Sequence, residues 1–265
     1  MNLANLVEPL SELAQSAGNA ILEIYYSDFD VLEKDDNSPL TQADLNAHHI
    51  IIDGLRKITP SIPIISEETP LQSFEKRKTW QQYWIIDPLD GTKEFVKKNG
   101  EFTVNIALID NHKPVLGIVY VPVSMKTYIG CEGFGAQIID PDVGKKIIQV
   151  TEKPNQKLRI VGSRSHQGET LKKFLSQIEE YELKPIGSSL KFCLIAEGLA
   201  DIYPRYGPTS EWDTAAAQAV VEQAGGMVLK TDGNPLLYNT KDNILNPNFV
   251  VINSAKFKEL FVKND

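Results

Sequence analysis

The chain of 265 residues has only two cysteines, Cys131 and Cys193, far apart and with no C-x-x-C. That scarcity excludes a disulfide framework and a thiolate zinc site, and leaves two reduced thiols in packed positions as the expectation. Long apolar runs are missing too, so no segment reads as a membrane span. The first residues lack the basic start and unbroken apolar core of a secretory signal, with Glu8, Glu12 and Glu23 in their place. A cytoplasmic protein with no transmembrane segment is expected. Basic charge is in deficit, with 27 lysines and arginines against 35 acids and a formal net charge of −8. A partner such as long nucleic acid needs a basic face and is excluded. A small anion is not, because metal ions and helix N-termini hold anions on acidic proteins.

What is present is an ordered series of periodic segments. Leu3, Leu6, Leu10, Leu13, Ala17, Ile21 and Ile24 recur at three and four and predict an amphipathic helix. Asp35 to Pro39 reads as a loop. Thr41 and Asp44 fit the opening of a helix that runs through Leu45, His49, Ile52 and Leu55. Two short apolar runs, Ile62 to Ser66 and Tyr83 to Ile86, then flow directly into carboxylates. From Phe102 to Ile139 the pattern becomes an antiparallel meander of short strands. Polar residues 151–157 mark a boundary, beyond which strands and helices alternate. The expected organisation is an α+β unit over residues 1–155 and a smaller α/β unit over 156–265.

The chemistry concentrates in W-I-I-D-P-L-D-G-T-K-E-F, residues 84–95. An apolar strand delivers Asp87, Pro88 is expected to force the chain out of the ladder, and Asp90 follows on a tight turn completed by Gly91. Carboxylates brought this close repel one another unless a cation lies between them. All-oxygen ligation suits hard Mg²⁺, and the turn offers the Leu89 carbonyl as a neutral ligand. Amide groups around Gly91 and Thr92 could open a short helix toward a phosphate. Asp-Pro and Asp-Gly are also ordinary turn dipeptides, so this stretch alone leaves both readings open.

The neighbouring motifs narrow the choice. I-S-E-E ending at Glu68, D-P-L-D-G-T at 87–92, W-D-T-A-A from Trp212, and E-Q-A-G-G ending at Gly226 together resemble the Mg²⁺-dependent, lithium-sensitive inositol monophosphatase superfamily over almost the whole chain. D-N-S-P-L-T-Q-A-D at 36–44, D-G-T-K-E-F at 90–95, G-S-R-S-H at 162–166 and the run 187–209 are closer to its bacterial 3′(2′),5′-bisphosphate nucleotidases, the CysQ type. Inositol phosphatases more often read D-G-T-T-N-F, and commonly carry a sugar-binding glutamate where this chain has Tyr206.

The resemblance implies a layered α-β-α-β-α sandwich and a phosphatase that converts adenosine 3′,5′-bisphosphate to AMP and phosphate. It also implies action on 3′-phosphoadenylyl sulfate, in sulfate assimilation, with two or three Mg²⁺ ions. Some members of that family sit peripherally at the cytoplasmic face of the inner membrane. Carried over by position, it assigns metal ligation to Glu67, Asp87, the Leu89 carbonyl, Asp90 and Asp213. Glu67 and Thr92 would orient the attacking water, and Asp44, through Thr92, would take its proton. The phosphorylated substrate would meet Glu67, Leu89, Asp90, Gly91, Thr92 and Asp213, with Ser163, His166, Gly187 and Lys191 around the nucleotide. Arg164 and Arg205 are further phosphate candidates with weaker support.

Simpler roles stand beside these. Asp44 also fits a capping box with Thr41, and Asp213 completes a Ser210-x-x-Asp213 helix start. Lys93 and Glu94 read as a solvated helix turn, and Glu68 as a structural acid. His48, His49 and His112 show no metal spacing. Two rival functions remain: a broad inositol or sugar phosphatase, and a nucleotide-binding regulator without catalysis.

Overall fold

The computed structural model describes residues 2–28, 30–33, 39–151, 157–164 and 168–261. Helix α1 (Ala4–Tyr25) buries Leu6, Leu10, Ala14, Ala17, Ile21 and Tyr25, one face at helical spacing. Strands β1 (Leu32–Glu33) and β2 (Pro39–Leu40) form an antiparallel ribbon. The loop expected from Asp35 lies outside the described residues as far as 38. Helix α2 (Gln42–Ile58) begins on the expected capping box, in which the Thr41 hydroxyl accepts from the Ala43 N–H and Asp44 accepts from the Thr41 N–H.

Strand β3 (Ile64–Ser66) pairs parallel with β4 (Gln82–Asp90), and the short α3 (Phe74–Arg77) lies between them in sequence. The brief α4 (Thr92–Val96) leads to the meander: β5 (Thr103–Asp110), β6 (Lys113–Val121), β7 (Lys126–Cys131), β8 (Gly135–Asp140) and β9 (Gly144–Ile147). These strands make one seven-stranded sheet in sequence order from β3 to β9.

The later part of the chain runs β10 (Leu158–Gly162), α5 (Glu169–Leu175), β11 (Tyr181–Pro185), α6 (Leu190–Ala196) and β12 (Ile202–Arg205). It continues with α7 (Ala215–Gln223), β13 (Met227–Lys230), β14 (Phe249–Ile252) and a 3₁₀ turn at Ala255–Leu260. The five-stranded order is β11-β10-β12-β14-β13. The alternation expected here holds for the parallel pairs β10–β11 and β10–β12. Strands β13 and β14, which the sequence pattern did not signal, add an antiparallel edge. The boundary predicted at 155/156 lies outside the described residues.

Period-two alternation explains the layering. Trp84, Ile86, Ile106 and Ile118 pack with α1 and α2 on one side of the large sheet. Tyr83, Ile85, Val119 and Tyr128 pack on the other with α6, α7 and the inner face of the five-stranded sheet. Ile160, Ile202, Val250 and Ile252 pack with α5 and the 3₁₀ turn beyond it. The result is the expected α-β-α-β-α sandwich. The alanines of α7 allow its backbone to rest on the sheet: a Cβ at Gly117 would lie 2.1 Å from the Ala216 carbonyl, and one at Gly130 2.4 Å from the Ala219 backbone.

Candidate active site

Pairing in β4 is interrupted after Asp87, which opposes Asn105, and resumes at Asp90, which opposes Thr103. Three steps on β4 therefore match two on β5, a bulge that accommodates Pro88 inside the strand. This corrects the expected exit from the ladder and tight turn: Asp90 is still a paired strand residue, and Gly91 (φ 94°) turns the chain into α4. The Leu89 N–H donates to Asp87 Oδ1 at 3.1 Å.

The bulge projects its acids into a pocket of about 450 Å³ between the two sheets, at the edge of the α6–α7 layer. Glu67, from the end of β3, Asp87, and Asp213, from the turn before α7, offer carboxylate oxygens within 4.8 Å of one another. Asp87 is buried, whereas Glu67, Asp90 and Asp213 are half-buried. Desolvation pushes the Asp87 carboxyl well above the usual range, and Glu67, Asp90 and Asp213 push it further. Desolvation with Asp90 and Glu67 does the same to Asp213. This concentration of hard anionic oxygens fits a divalent cation better than any arrangement of the acids alone. Asp213 is aimed by the Ser210 N–H, which donates to its Oδ2 at 2.9 Å. Helix α7 begins at Ala215, later than the Ser210-x-x-Asp213 helix start expected, so Asp213 stands on the preceding turn.

Asp90 faces a different environment. Its Oδ2 accepts from the Ser189 N–H at 2.5 Å and from Thr103 Oγ1 and Asn105 Nδ2 at 3.4 Å. Burial raises its carboxyl, opposed by the Lys191 charge and these donors. Thr103, Asn105 and Ser189 were not singled out in the sequence. The available signal was two polar residues spaced by two, Thr103 and Asn105, at the start of β5 ahead of its apolar run Ile106 to Ile109, both buried.

Asp44 is buried behind the pocket. Its oxygens divide between two neighbours: Oδ2 accepts from the Thr41 N–H and hydroxyl at 2.7 Å each, which is the expected capping role, while Oδ1 lies 3.3 Å from Thr92 Oγ1. Thr92 Oγ1 is also 3.3 Å from the Leu89 carbonyl.

Across the pocket stand Ser163, Gly187, Lys191 and Arg205. Lys191 is buried, its Nζ donating to the Ile186 carbonyl at 3.3 Å and to the Ser188 carbonyl, with the Tyr203 ring centroid 5.3 Å away. Burial lowers its pKa to about 8, against the pull of Asp90. The Gly187 N–H donates to Glu101 Oε2 at 2.7 Å. Arg205 donates to Thr209 Oγ1 and the Pro208 carbonyl, and Arg164 forms a two-pronged pair with Glu101. His166 lies outside the described residues. Glu94, expected in solvent, is buried and accepts from Asn99 Nδ2 at 3.0 Å, while Lys93 is exposed. Tyr206 packs against Phe174, with ring centroids 6.4 Å apart, and does not line the pocket. His48 is buried against Ser66 Oγ at 2.9 Å, and both cysteines are buried free thiols. Among the described residues no helix is long and apolar enough to cross a membrane.

The profile of the inositol monophosphatase family matches residues 2–263. The 3′(2′),5′-bisphosphate nucleotidase CysQ of Escherichia coli strain K12 is 49% identical over 93% of this chain and 99% of its own. That of Buchnera aphidicola is 46% identical over 90% and 89%. Among solved structures, CysQ from Bacteroides thetaiotaomicron, a bacterial member of the inositol monophosphatase family, superposes with a TM-score of 0.84 at 39% identity, covering 95% of this chain and 98% of that one. Members of this family are generally metal-dependent phosphatases, in keeping with the acid cluster. On profile, sequence and fold together, the chain belongs to the inositol monophosphatase family.

Proposed function

We propose that this protein is a 3′(2′),5′-bisphosphate nucleotidase that hydrolyses adenosine 3′,5′-bisphosphate to AMP and phosphate, and also dephosphorylates 3′-phosphoadenylyl sulfate in sulfate assimilation. One observation carries the reading: three convergent carboxylates share a pocket with the Asp44–Thr92 hydrogen bond, in a chain 49% identical to a CysQ nucleotidase over 93% of its length.

Glu67, Asp87, the Leu89 carbonyl, Asp90 and Asp213 are the proposed ligands for Mg²⁺, with two or three ions. Bound there, Mg²⁺ would supply charge neutralisation for the phosphate and a lowered pKa for water. Thr92, donating to Asp44, turns a hydroxyl lone pair toward the pocket and can accept from a water that Glu67 also orients. That water oxygen attacks phosphorus in line, the bond from phosphorus to O3′ breaks, and the water proton passes through Thr92 to Asp44. The ribose O3′ leaves with a proton from solvent. Gly91 and Thr92 border the phosphate, while Ser163, Gly187 and Lys191 border the nucleotide, with His166 close after Ser163 in the sequence. A cytoplasmic location accords with the free thiols.

The test is phosphate release from adenosine 3′,5′-bisphosphate and from inositol 1-phosphate at equal Mg²⁺, with and without lithium. Preference for the bisphosphate is expected. Preference for the inositol ester overturns the reading in favour of a sugar phosphatase, and nucleotide binding with no phosphate release makes the protein a regulator.

A further inference from the structure

Asp213 is carried by a turn that closes on its own bonds, with the Asp213 N–H donating to the Ser210 carbonyl at 3.3 Å, the Thr214 N–H to the Glu211 carbonyl at 3.3 Å and the Ser210 N–H to Asp213 Oδ2 at 2.9 Å, so its shape is local but its place is not. The turn hangs on residues 238–246, which lie behind it. Glu211 N–H donates to the Ile244 carbonyl at 3.0 Å, and Asn246 Nδ2 donates to the Ser210 carbonyl at 3.0 Å and to Thr214 Oγ1 at 2.9 Å. The Asn239 N–H donates to Glu211 Oε2 at 2.9 Å. The supporting strap is itself mostly exposed from 240 to 248, so polar bonds rather than apolar burial must set its place.

The same strap is bonded on its other side to Arg77 of α3, which is completely buried. Its Nη1 donates to Asn239 Oδ1 at 2.6 Å, its Nη2 to the Asp242 carbonyl, and its Nε to the Gln72 carbonyl at 3.0 Å. Asn239 Nδ2 returns a bond of 2.6 Å to the Arg77 carbonyl. A buried guanidinium used in this way is costly unless it is fully paired. Here it joins the segment following Glu67 to the strap behind Asp213, with Asp242 Oδ1 3.6 Å from its Nη2 as the direct counter-charge and the buried Glu211 carboxylate at the far end of Asn239.

We infer that Arg77 is a positioning residue which, through Asn239 and Glu211, holds the Asp213 turn in place and so sets the affinity of the acid cluster for its divalent cation. The inference rests on the proposed role of Asp213 as a metal ligand. Loss of Arg77 leaves the acids present but their spacing unsupported, as when an outer partner of a metal ligand is removed.

The test is calorimetric titration of Mg²⁺ alone into the full-length protein without substrate, alongside the Mg²⁺ dependence of turnover. Arg77→Met is expected to weaken Mg²⁺ binding by about tenfold or more, with turnover recovering at saturating Mg²⁺. Asn239→Gly keeps the left-handed backbone at that position (φ 53°) and the N–H to Glu211 but removes both side-chain bonds to Arg77. It should show the same shift, and it decides the matter if Arg77→Met does not fold. A merely structural role would lower the melting temperature without moving the Mg²⁺ midpoint well below melting, and that result overturns the inference. Asp213→Asn is the control: if it binds Mg²⁺ like the parent, the ligand role itself fails, an outcome distinct from unchanged binding in the Arg77 and Asn239 variants alone.

Discussion

The two walls of the pocket are built by opposite means. On one, Glu67 just past the end of β3 and Asp87 on β4 stand at the large sheet, with Asp213 brought against them, and like charges raise one another's pKa. On the other, Lys191 of α6 is held by the Ile186 and Ser188 carbonyls and shares the wall with Arg205, among loops that carry Ser163 and Gly187. The acid wall concentrates charge on a rigid scaffold, and its proposed task is common to every phosphate ester. The cationic wall is sparse and loop-borne, and only a substrate with a second phosphate would exploit it. Substitutions should therefore lower all activities together on the first wall and separate substrates on the second.

The largest effect is expected at the buried acid. Asp87→Asn should reduce turnover on the order of 10³-fold on both adenosine 3′,5′-bisphosphate and a simple phosphate monoester. A loss confined to the bisphosphate would erase the contrast between the walls. The melting temperature should not fall, because the substitution removes a desolvated charge without removing volume. The pH dependence has a definite sign. Asp87 and Asp213 have raised pKa values when folded, so the folded state holds protons that the unfolded state has released. Stability of chelator-treated protein should fall as pH rises from the normal carboxylate range through the raised folded values, and added Mg²⁺ should flatten that slope. Thermal melts across pH 4 to about 8, with chelator and with Mg²⁺, would check it.

A second, smaller common effect should come from the hydroxyl between Asp44 and the pocket. Thr92→Val keeps the shape but removes the proton path, and about a 10²-fold loss in turnover is expected on both substrates. Single-turnover measurement would locate the loss in the chemical step. A loss appearing only in KM would make Thr92 a binding residue.

The cationic wall should behave selectively. Lys191→Met should lower kcat/KM for the bisphosphate by about ten- to a hundredfold, the scale of a buried charged hydrogen bond, and spare the monoester. Its folded pKa of about 8 adds a pH signature. Below about 8 the amine is charged and can meet a phosphate, and above it the charge is lost. The ratio of bisphosphate to monoester kcat/KM should therefore fall between pH 7 and 9 in the parent and stay flat in Lys191→Met. Equal losses on both substrates would mean that Lys191 serves only to hold the Ile186 and Ser188 carbonyls.

This asymmetry also decided what the sequence could reveal. Asp87 was legible because a β run ending in D-P-L-D-G is a local pattern, and the Thr41–Asp44 cap and the α1 face were legible for the same reason. The bulge at Pro88 depends on the register of β5, and the aim of Asp90 depends on Ser189, 99 residues later. Neither can be read from spacing. Glu94 looked solvated because nothing local shows that its short helix packs beneath the Gly187 loop; a Cβ at Gly187 would lie 2.6 Å from Glu94 Cγ. Strands β13 and β14 are four residues each, too short for a period to declare itself.

The smallest effect belongs to the rim, where it tests how far the selective wall extends. Arg164 pairs with Glu101 in a partly exposed bridge, with the Arg164 side chain 41% accessible. Such pairs contribute little to stability. Glu101 does more, since its Oε2 also takes the Gly187 N–H at 2.7 Å. Arg164→Ala should change kcat/KM for the bisphosphate by about threefold or less, the range of an exposed pair. Glu101→Ala should cost more, about three- to tenfold, because the N–H of Gly187, a residue that lines the pocket, loses its acceptor. If Arg164→Ala instead costs over tenfold on the bisphosphate and nothing on the monoester, Arg164 leaves Glu101 for the second phosphate. The selective wall would then reach beyond the buried Lys191 to the solvent edge.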